Sequence, residues 1–292
     1  MKEGQPSATA QRVAVRRAAH QLLDEPKIFD DPLALRIIGR EGVSELQSDP
    51  YQQDQSRAET TRLSLYLRAY VAVRSRYAED ELALAVERGV RQYVVLGAGL
   101  DTFAYRNPYP EGALRVFEVD YPATQAWKRS RLKEAGIPFP RDLTFAPVNF
   151  EERTLTALAD GLRKAGYDPG LATFFSWLGV APYLTIDGVM TTLRFIASAP
   201  KGSAVVFDYA PALSLLTPAQ RLVIEAMANR LAAAGEPLQT FFDPAELMKD
   251  LRAMGFEHFE DIGPEELNAR YFKDRADGLR VGSLAHMMHA QV

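Results

Sequence analysis

Apolar residues follow two different spacings along this chain. Up to about residue 88 they recur every three or four positions among charged residues; beyond it they gather in short dense runs separated by mixed, helix-compatible stretches. Val13, Val15, Ala18 and Leu22 predict a helix within residues 8–40 that breaks near Pro26 and resumes from Pro32, with Asp31 placed to cap it and proline in the first helical position. Leu63, Tyr66, Leu67, Tyr70 and Val71 share one side of a longer helix predicted over residues 57–88, which Gly89 stops.

The dense runs predict strands at 92–96, 114–119, 143–148, 172–178 and 203–209. Strands that alternate with helices and are apolar throughout belong to a parallel sheet covered on both faces, joined by right-handed crossovers. A helix is expected over 217–234, ending at Gly235, and another from Asp243-Pro244 to Gly255. Two last strands, near 256–261 and 280–289, complete a mixed sheet. The expected organisation is an N-terminal helical cap over residues 1–88 and a core over 89–292 interrupted by an insertion at about 210–242. Ligands of such sheets sit beyond the carboxyl ends of the strands, so cap and insertion are the natural lid.

The first two strands carry the chemistry. Tyr93-Val-Val-Leu-Gly-Ala-Gly99 followed by Val116-Phe-Glu-Val-Asp120 reads as strand, glycine turn, helix, second strand and acid, the front half of a nucleoside-binding unit. Gly97 and Gly99 let the backbone turn sharply and a ligand lie against it. Asp120 is placed to accept hydrogen bonds from both ribose hydroxyls, or else to cap the helix after Tyr121-Pro122. Asp101 and Thr102 either touch the ligand or cap the helix expected there. Thr102 stands where a dinucleotide fingerprint needs its third small residue, so a pyrophosphate fits poorly; S-adenosylmethionine, which carries no phosphate, fits better.

Composition narrows the classes further. The 292 residues are 47% hydrophobic and 25% charged with a net charge of -4, ordinary for a globular protein and unlike a nucleic-acid or anionic-membrane binder. The absence of cysteine removes disulfides, thiolate ligands and cysteine nucleophiles, and four scattered histidines make no zinc spacing, so no metal is expected. The amino-terminal residues lack the apolar run of a secretory signal, and the longest apolar stretch, Leu171 to Leu184, is interrupted by Gly179 and Pro182; a cytoplasmic location and a small-molecule partner are the expectation.

The strings GAGLDTFAYR, FEVDYPATQAWKRSRL, FFSWLGVAPYLT, VVFDYAP and GPEELNARYFKDRADGLR resemble the S-adenosylmethionine-dependent methyltransferases related to leucine carboxyl methyltransferase, particularly their bacterial branch, from about Ser7 to Ala290. The resemblance implies a Rossmann-like class I methyltransferase, α/β, with a seven-stranded, mostly parallel sheet. It implies a cofactor group of Gly97, Ala98, Gly99, Asp120 and Tyr121, and places Arg74 where relatives bind the methionine carboxylate, a task that suits a guanidinium fork. Asn149 replaces an aspartate that meets the adenine amino group, and its carbonyl still accepts that bond; Phe150 beside it packs on the adenine or belongs to the core. Leu178 replaces an acid, implying a more apolar pocket near the sulfonium.

Trp177 and Tyr183 face cofactor or substrate, or lie in the core. Arg17, Asp208 and Tyr209 are candidate substrate contacts, with Asp208 as a lid cap the alternative. Asn268, Arg270, Tyr271, Arg275, Asp277 and Gly278 read as a structural ion-pair network, or supply an arginine for a carboxylate substrate. Methyl transfer to a hydroxyl needs a base, and no convincing one is present; His20 reads as a partly exposed helix residue that serves only if the lid carries it to the nucleophile. A carboxylate needs no base, so methyl ester formation on a small molecule is the first expectation and hydroxyl methylation the second. A nicotinamide-dependent reductase and a non-catalytic binding module are the remaining alternatives.

Overall fold

The computed structural model describes residues 6–48, 58–150 and 155–292. Seven strands, β1 (Gln92–Leu96), β2 (Arg115–Asp120), β3 (Leu143–Pro147), β4 (Thr173–Trp177), β5 (Ala204–Tyr209), β6 (His258–Ile262) and β7 (His286–Gln291), form one sheet in the order β3-β2-β1-β4-β5-β7-β6. The first five run parallel, and β7 lies antiparallel between β5 and β6.

The helices are α1 (Ala8–Leu23), α2 (Ala34–Ile37), α3 (Gly39–Ser48), α4 (Ala58–Glu87), α5 (Pro122–Glu134), α6 (Leu155–Lys164), α7 (Ile186–Ala197), α8 (Pro218–Ala233), α9 (Pro244–Met254) and α10 (Pro264–Tyr271). Arg57, at the expected start of α4, lies outside the described residues.

Side-chain alternation divides the core between the two faces of the sheet. Tyr93 and Val95 of β1 point to the face covered by α4, where they join Ala72, Tyr77, Leu82 and Ala85. Val94 and Leu96 point to the other face, against Leu162, Val189, Leu193 and Leu247 from α6, α7 and α9. Each large side chain so buried contributes about 1.5–3 kcal/mol, and this two-sided cover explains why the strands are apolar runs. A third cluster lies beneath the cap, where Ala14, Val15 and Ala18 of α1 meet Ile37, Ile38 and Leu132.

Local signals end the helices where sequence places them. Gly89, with φ +102°, turns the chain out of α4 while Val90 N–H closes back on Ala85 O at 3.0 Å. Thr217 caps α8 with a reciprocal box to Gln220, and Asp243 caps α9 before Gly255 ends it in the left-handed conformation.

Two expectations are corrected. The helix expected after the glycine turn is a single 3-10 turn, Phe103–Tyr105. Pro108 and Pro110 disfavour helical backbone just downstream, and Thr102 is drawn aside by bonds to Asp31 and Arg106. The last strand begins at His286 rather than 280, because Asn268 bonds both the N–H and the C=O of Val281 and withdraws that segment from the sheet.

Candidate cofactor and substrate site

A cavity of 560 Å³ opens beyond the carboxyl ends of β1 to β4. Its floor is built from the residues that follow each strand: Gly97–Asp101, Asp120 and Tyr121, Asn149 and Phe150, and Leu178–Val180. Arg74 and Ser75 of α4 enter from one side, α1 covers the top from Thr9 to Arg17, and Glu236, Pro237 and Gln239 of the insertion complete the wall.

The floor is shaped by glycines in the left-handed conformation, which residues with a Cβ adopt only under strain. Gly97 has φ +69°, and a Cβ there would lie 2.2 Å from Val180 Cγ2. Gly99 has φ +44°, and its Cβ would meet Ala10 Cβ of α1 at 3.1 Å. The turn is tied to β2 by the Gly97 and Ala98 N–H groups, which donate to Val119 O at 2.8 and 3.1 Å. Asp120 fastens it further: its carboxylate accepts from Gly99 N–H at 2.5 Å and Tyr121 N–H at 2.7 Å. Burial raises this carboxyl above its ordinary value, opposed by the two amides and by Lys128.

Arg74 is nearly enclosed, with its Nη1 3.0 Å from Asp208 Oδ2. The other Asp208 oxygen accepts from Gly179 N–H. Arg74 lies so close to Gly179 (φ +71°) that a Cβ there would come within 2.8 Å of its Nη2. Arg17 is likewise paired: its Nε is 2.8 Å from Asp31, and its Nη2 donates to Leu100 O. Both guanidinium groups reach the cavity already neutralised by a buried aspartate.

Below the floor, Glu118 and Lys128 form a fully buried pair at 2.7 Å. Burial pushes the Glu118 carboxyl up to about 7, although Lys128 acts in the opposite direction. Tyr183 lies in the cavity wall; burial raises its hydroxyl, while Thr9 and Arg74 oppose the rise.

Several expected residues lie elsewhere. Trp177 is fully buried on the opposite face of the sheet, its ring 6.1 Å from Phe207, because strand alternation turns Ser176 and Trp177 to opposite sides. Tyr209 also points away, its hydroxyl bonded to Asp261 at 2.7 Å. Asp208 does not line the cavity and acts on it through Arg74 and Gly179.

Thr102 donates to Asp31 at 2.7 Å and takes no place in the cavity, while Asp101 both lines it and accepts from Phe103 N–H at 2.8 Å. His20, expected at a helix surface, is wholly buried: Nδ1 lies 2.7 Å from Asp24, and Nε2 accepts from the N–H groups of Ile28 and Phe29. The late cluster stays away from the cavity. Arg275 binds Asp277 and Pro26 O, Asn268 binds Val281, Tyr271 binds Asp80, and Arg270 faces Glu81 and Glu260.

Glu236 and Gln239 are cavity residues that sequence reasoning missed. They sit in a return segment whose only sequence signal is a Gly235-Glu-Pro237 turn.

The leucine carboxyl methyltransferase family profile matches residues 10–197, which includes the glycine turn, Asp120, Asn149 and the segment after β4. The chain belongs to this family. The Bacillus subtilis protein named "Putative S-adenosyl-L-methionine-dependent methyltransferase YktD" is 33% identical over 99% of each chain. A Saccharopolyspora erythraea protein named as an S-adenosyl-L-methionine-dependent methyltransferase in the same words is 35% identical over 68% of this chain and 66% of its own.

Among solved structures, a DUF574 family protein from Streptomyces avermitilis shares the fold with a TM-score of 0.58 at 17% identity, covering 98% of this chain and 97% of its own. A Thermobifida fusca protein described as a "putative methyltransferase" shares it with a TM-score of 0.55 at 16% identity, over 99% and 96% of the two chains. The leucine carboxyl methyltransferase-like chain is thus an S-adenosylmethionine-dependent enzyme of the class I methyltransferase fold. Among the described residues no helix is long and apolar enough to cross a membrane.

Proposed function

We propose that this methyltransferase esterifies a carboxylate of a small molecule. The observation that supports this acceptor is the lack of a free base: no histidine or lysine lines the cavity among the described residues, and the carboxylates that do, Asp101, Asp120 and Glu236, already accept from the N–H groups of Phe103, Gly99 and Thr9. A carboxylate is ionised near neutral pH and needs no proton removed. A hydroxyl requires a base within hydrogen-bond reach.

The residues present fit the cofactor. The cradle at Gly97, Ala98 and Gly99 has backbone on its floor where a side chain would collide with Val180 or Ala10. Asp120 at the end of β2 holds the ribose hydroxyls, with Tyr121 beside it. Asn149 accepts the adenine amino group, Phe150 packs against the ring, and Arg74 meets the methionine carboxylate. When bound, S-adenosylmethionine supplies an activated methyl on a positively charged sulfur, which passes to the acceptor oxygen as the C–S bond breaks.

The chain's own task is to hold that oxygen in line and keep water out. Leu178 and Val180 make an apolar wall beside Tyr183, and α1 closes the top. In this reading the helices before α4 and the insertion at 210–242 form the lid that selects the acceptor, α4 being part of the core.

Incubation of the enzyme with methyl-labelled S-adenosylmethionine and an extract of small acids tests the acceptor. The expected product releases its label as methanol under mild alkali; alkali-stable label would show that the methyl is not held in an ester and overturn the carboxylate assignment. Asp120→Ala is expected to weaken S-adenosylhomocysteine binding by about tenfold or more, as loss of hydrogen bonds to a charged group implies. Isothermal titration reads this directly, and unchanged affinity would remove Asp120 from the ribose site.

A further inference from the structure

Glu236 joins two parts of the chain that are far apart in sequence. Its carboxylate accepts from Ser7 Oγ at 2.8 Å, from Thr9 N–H at 2.8 Å, and from the Thr9 hydroxyl. It is buried, in the cavity wall, at the amino end of α1, where free N–H groups favour a negative charge.

The two sides of this junction are anchored differently. Behind Glu236, the return segment is fixed to the turn after β4: Gln239 N–H donates to Pro182 O at 2.8 Å, Gln239 Nε2 to Tyr183 O at 2.5 Å, and the Thr240 hydroxyl to Leu184 O. The later half of α1 is also fixed, through Arg17 to Asp31 and Leu100 O and through His20 to the N–H groups of Ile28 and Phe29. The first turn of α1 is only half-buried, and besides Glu236 its described ties are two long bonds, Ser7 N–H to Thr124 and Gln11 Nε2 to Ile38 O, each at 3.4 Å, and a contact of the Thr9 hydroxyl with Tyr183. That same turn lies over the glycine floor, with Ala10 above Gly99.

We infer that Glu236 is a positioning residue, a clasp that seats the first turn of α1 over the cofactor and whose release is required for cofactor exchange. The inference rests on the reading of the cavity as the cofactor site. A carboxylate bound by two hydroxyls and an amide is a strong yet reversible fastening, since each donor finds water when the helix lifts. Holding the roof by its tip lets α1 swing about its anchored later half without unpacking the cap.

Stopped-flow dissociation of S-adenosylhomocysteine tests the clasp. Glu236→Ala is expected to raise the dissociation rate at least about tenfold, the size expected when hydrogen bonds to a charged group are lost, because differences of this kind appear mainly in off-rates. Trypsin cleavage after Arg12 should accelerate in parallel. Ser7→Ala combined with Thr9→Val removes both hydroxyl donors while leaving Glu236 in place, and should raise the same rate.

Adding Glu236→Ala to that pair should cost less than the sum of the two, as residues of one network do. Melting curves establish that each variant is folded. A folded Glu236→Ala enzyme with the wild-type dissociation rate, or strictly additive effects, would overturn the inference. Failure of the wild-type protein to bind S-adenosylhomocysteine would instead overturn the cofactor reading on which it rests.

Discussion

Arg74 and Asp208 meet at 3.0 Å, linking α4 to the end of β5, and the same aspartate accepts the Gly179 amide of the turn after β4. A buried pair of this kind gains little over an apolar substitute, but removing one partner strands the other charge. Asp208→Ala should therefore destabilise the protein by about 3–5 kcal/mol, the cost of an uncompensated buried charge, measured by urea denaturation. Asp208→Asn, which retains an acceptor for Gly179 N–H, should cost less. Equal losses in the two variants would show that the bond to Gly179 N–H adds nothing beyond the charge, and an unaffected Asp208→Asn protein would show that the charge on Asp208 is unimportant.

Glu118 and Lys128 give a pH-dependent prediction. Burial raises the Glu118 carboxyl from an ordinary 4.5 to about 7, so between those values the folded chain holds a proton that the unfolded chain has released. Stability from this group is therefore complete below its unfolded pKa and is lost as pH rises towards 7. Urea denaturation across that range should give wild type a steeper decline than Glu118→Gln. Identical slopes would show that Glu118 stays ionised throughout. Lys128→Met alone should be strongly destabilising, whereas Glu118→Leu with Lys128→Met should recover much of the loss because no buried charge remains.

Gly97→Ala separates two reasons for a glycine. The added Cβ meets Val180 Cγ2 at 2.2 Å, and φ +69° is strained for any residue that carries one. Cofactor affinity and stability should both fall, the backbone part of the stability loss being about 1–2 kcal/mol. Val180→Ala in the same chain relieves only the collision, so partial recovery is expected by titration and melting. Full recovery would mean that the turn adopts its conformation without strain.

The parallel core was readable because both sheet faces are covered and the central strands carry apolar residues on both sides, as in residues 93–96 and 204–207. Gly89, Gly235, Asp243 and Gly255 likewise mark boundaries by local chemistry that no distant contact overrides. The residues after the strands were readable for the same reason, since the sheet alone brings Gly97, Asp120, Asn149 and Leu178 to one edge.

Trp177 was not legible in that way, because being at a strand end does not say which face a side chain takes; Ser176 beside it faces the other way. His20 was misjudged because its burial depends on Ile28 and Phe29 folding back over α1, a contact with no sequence period. Glu236 was invisible because its partners lie more than two hundred positions away.

With only a 3-10 turn between β1 and β2, the sheet face there depends on α4, which precedes every strand. Ala72, Tyr77, Leu82 and Ala85 share a cluster with Tyr93, Val95 and Val206, and Arg74 from the same helix forms a wall of the pocket. A polypeptide started at residue 89 would thus lack one side of its hydrophobic interior and a cation of its ligand chamber together. The helical preface and the strands behave as one cooperative body, so grafting a new acceptor preference by exchanging the preface must leave α4 untouched and confine the swap to the helices that come before it.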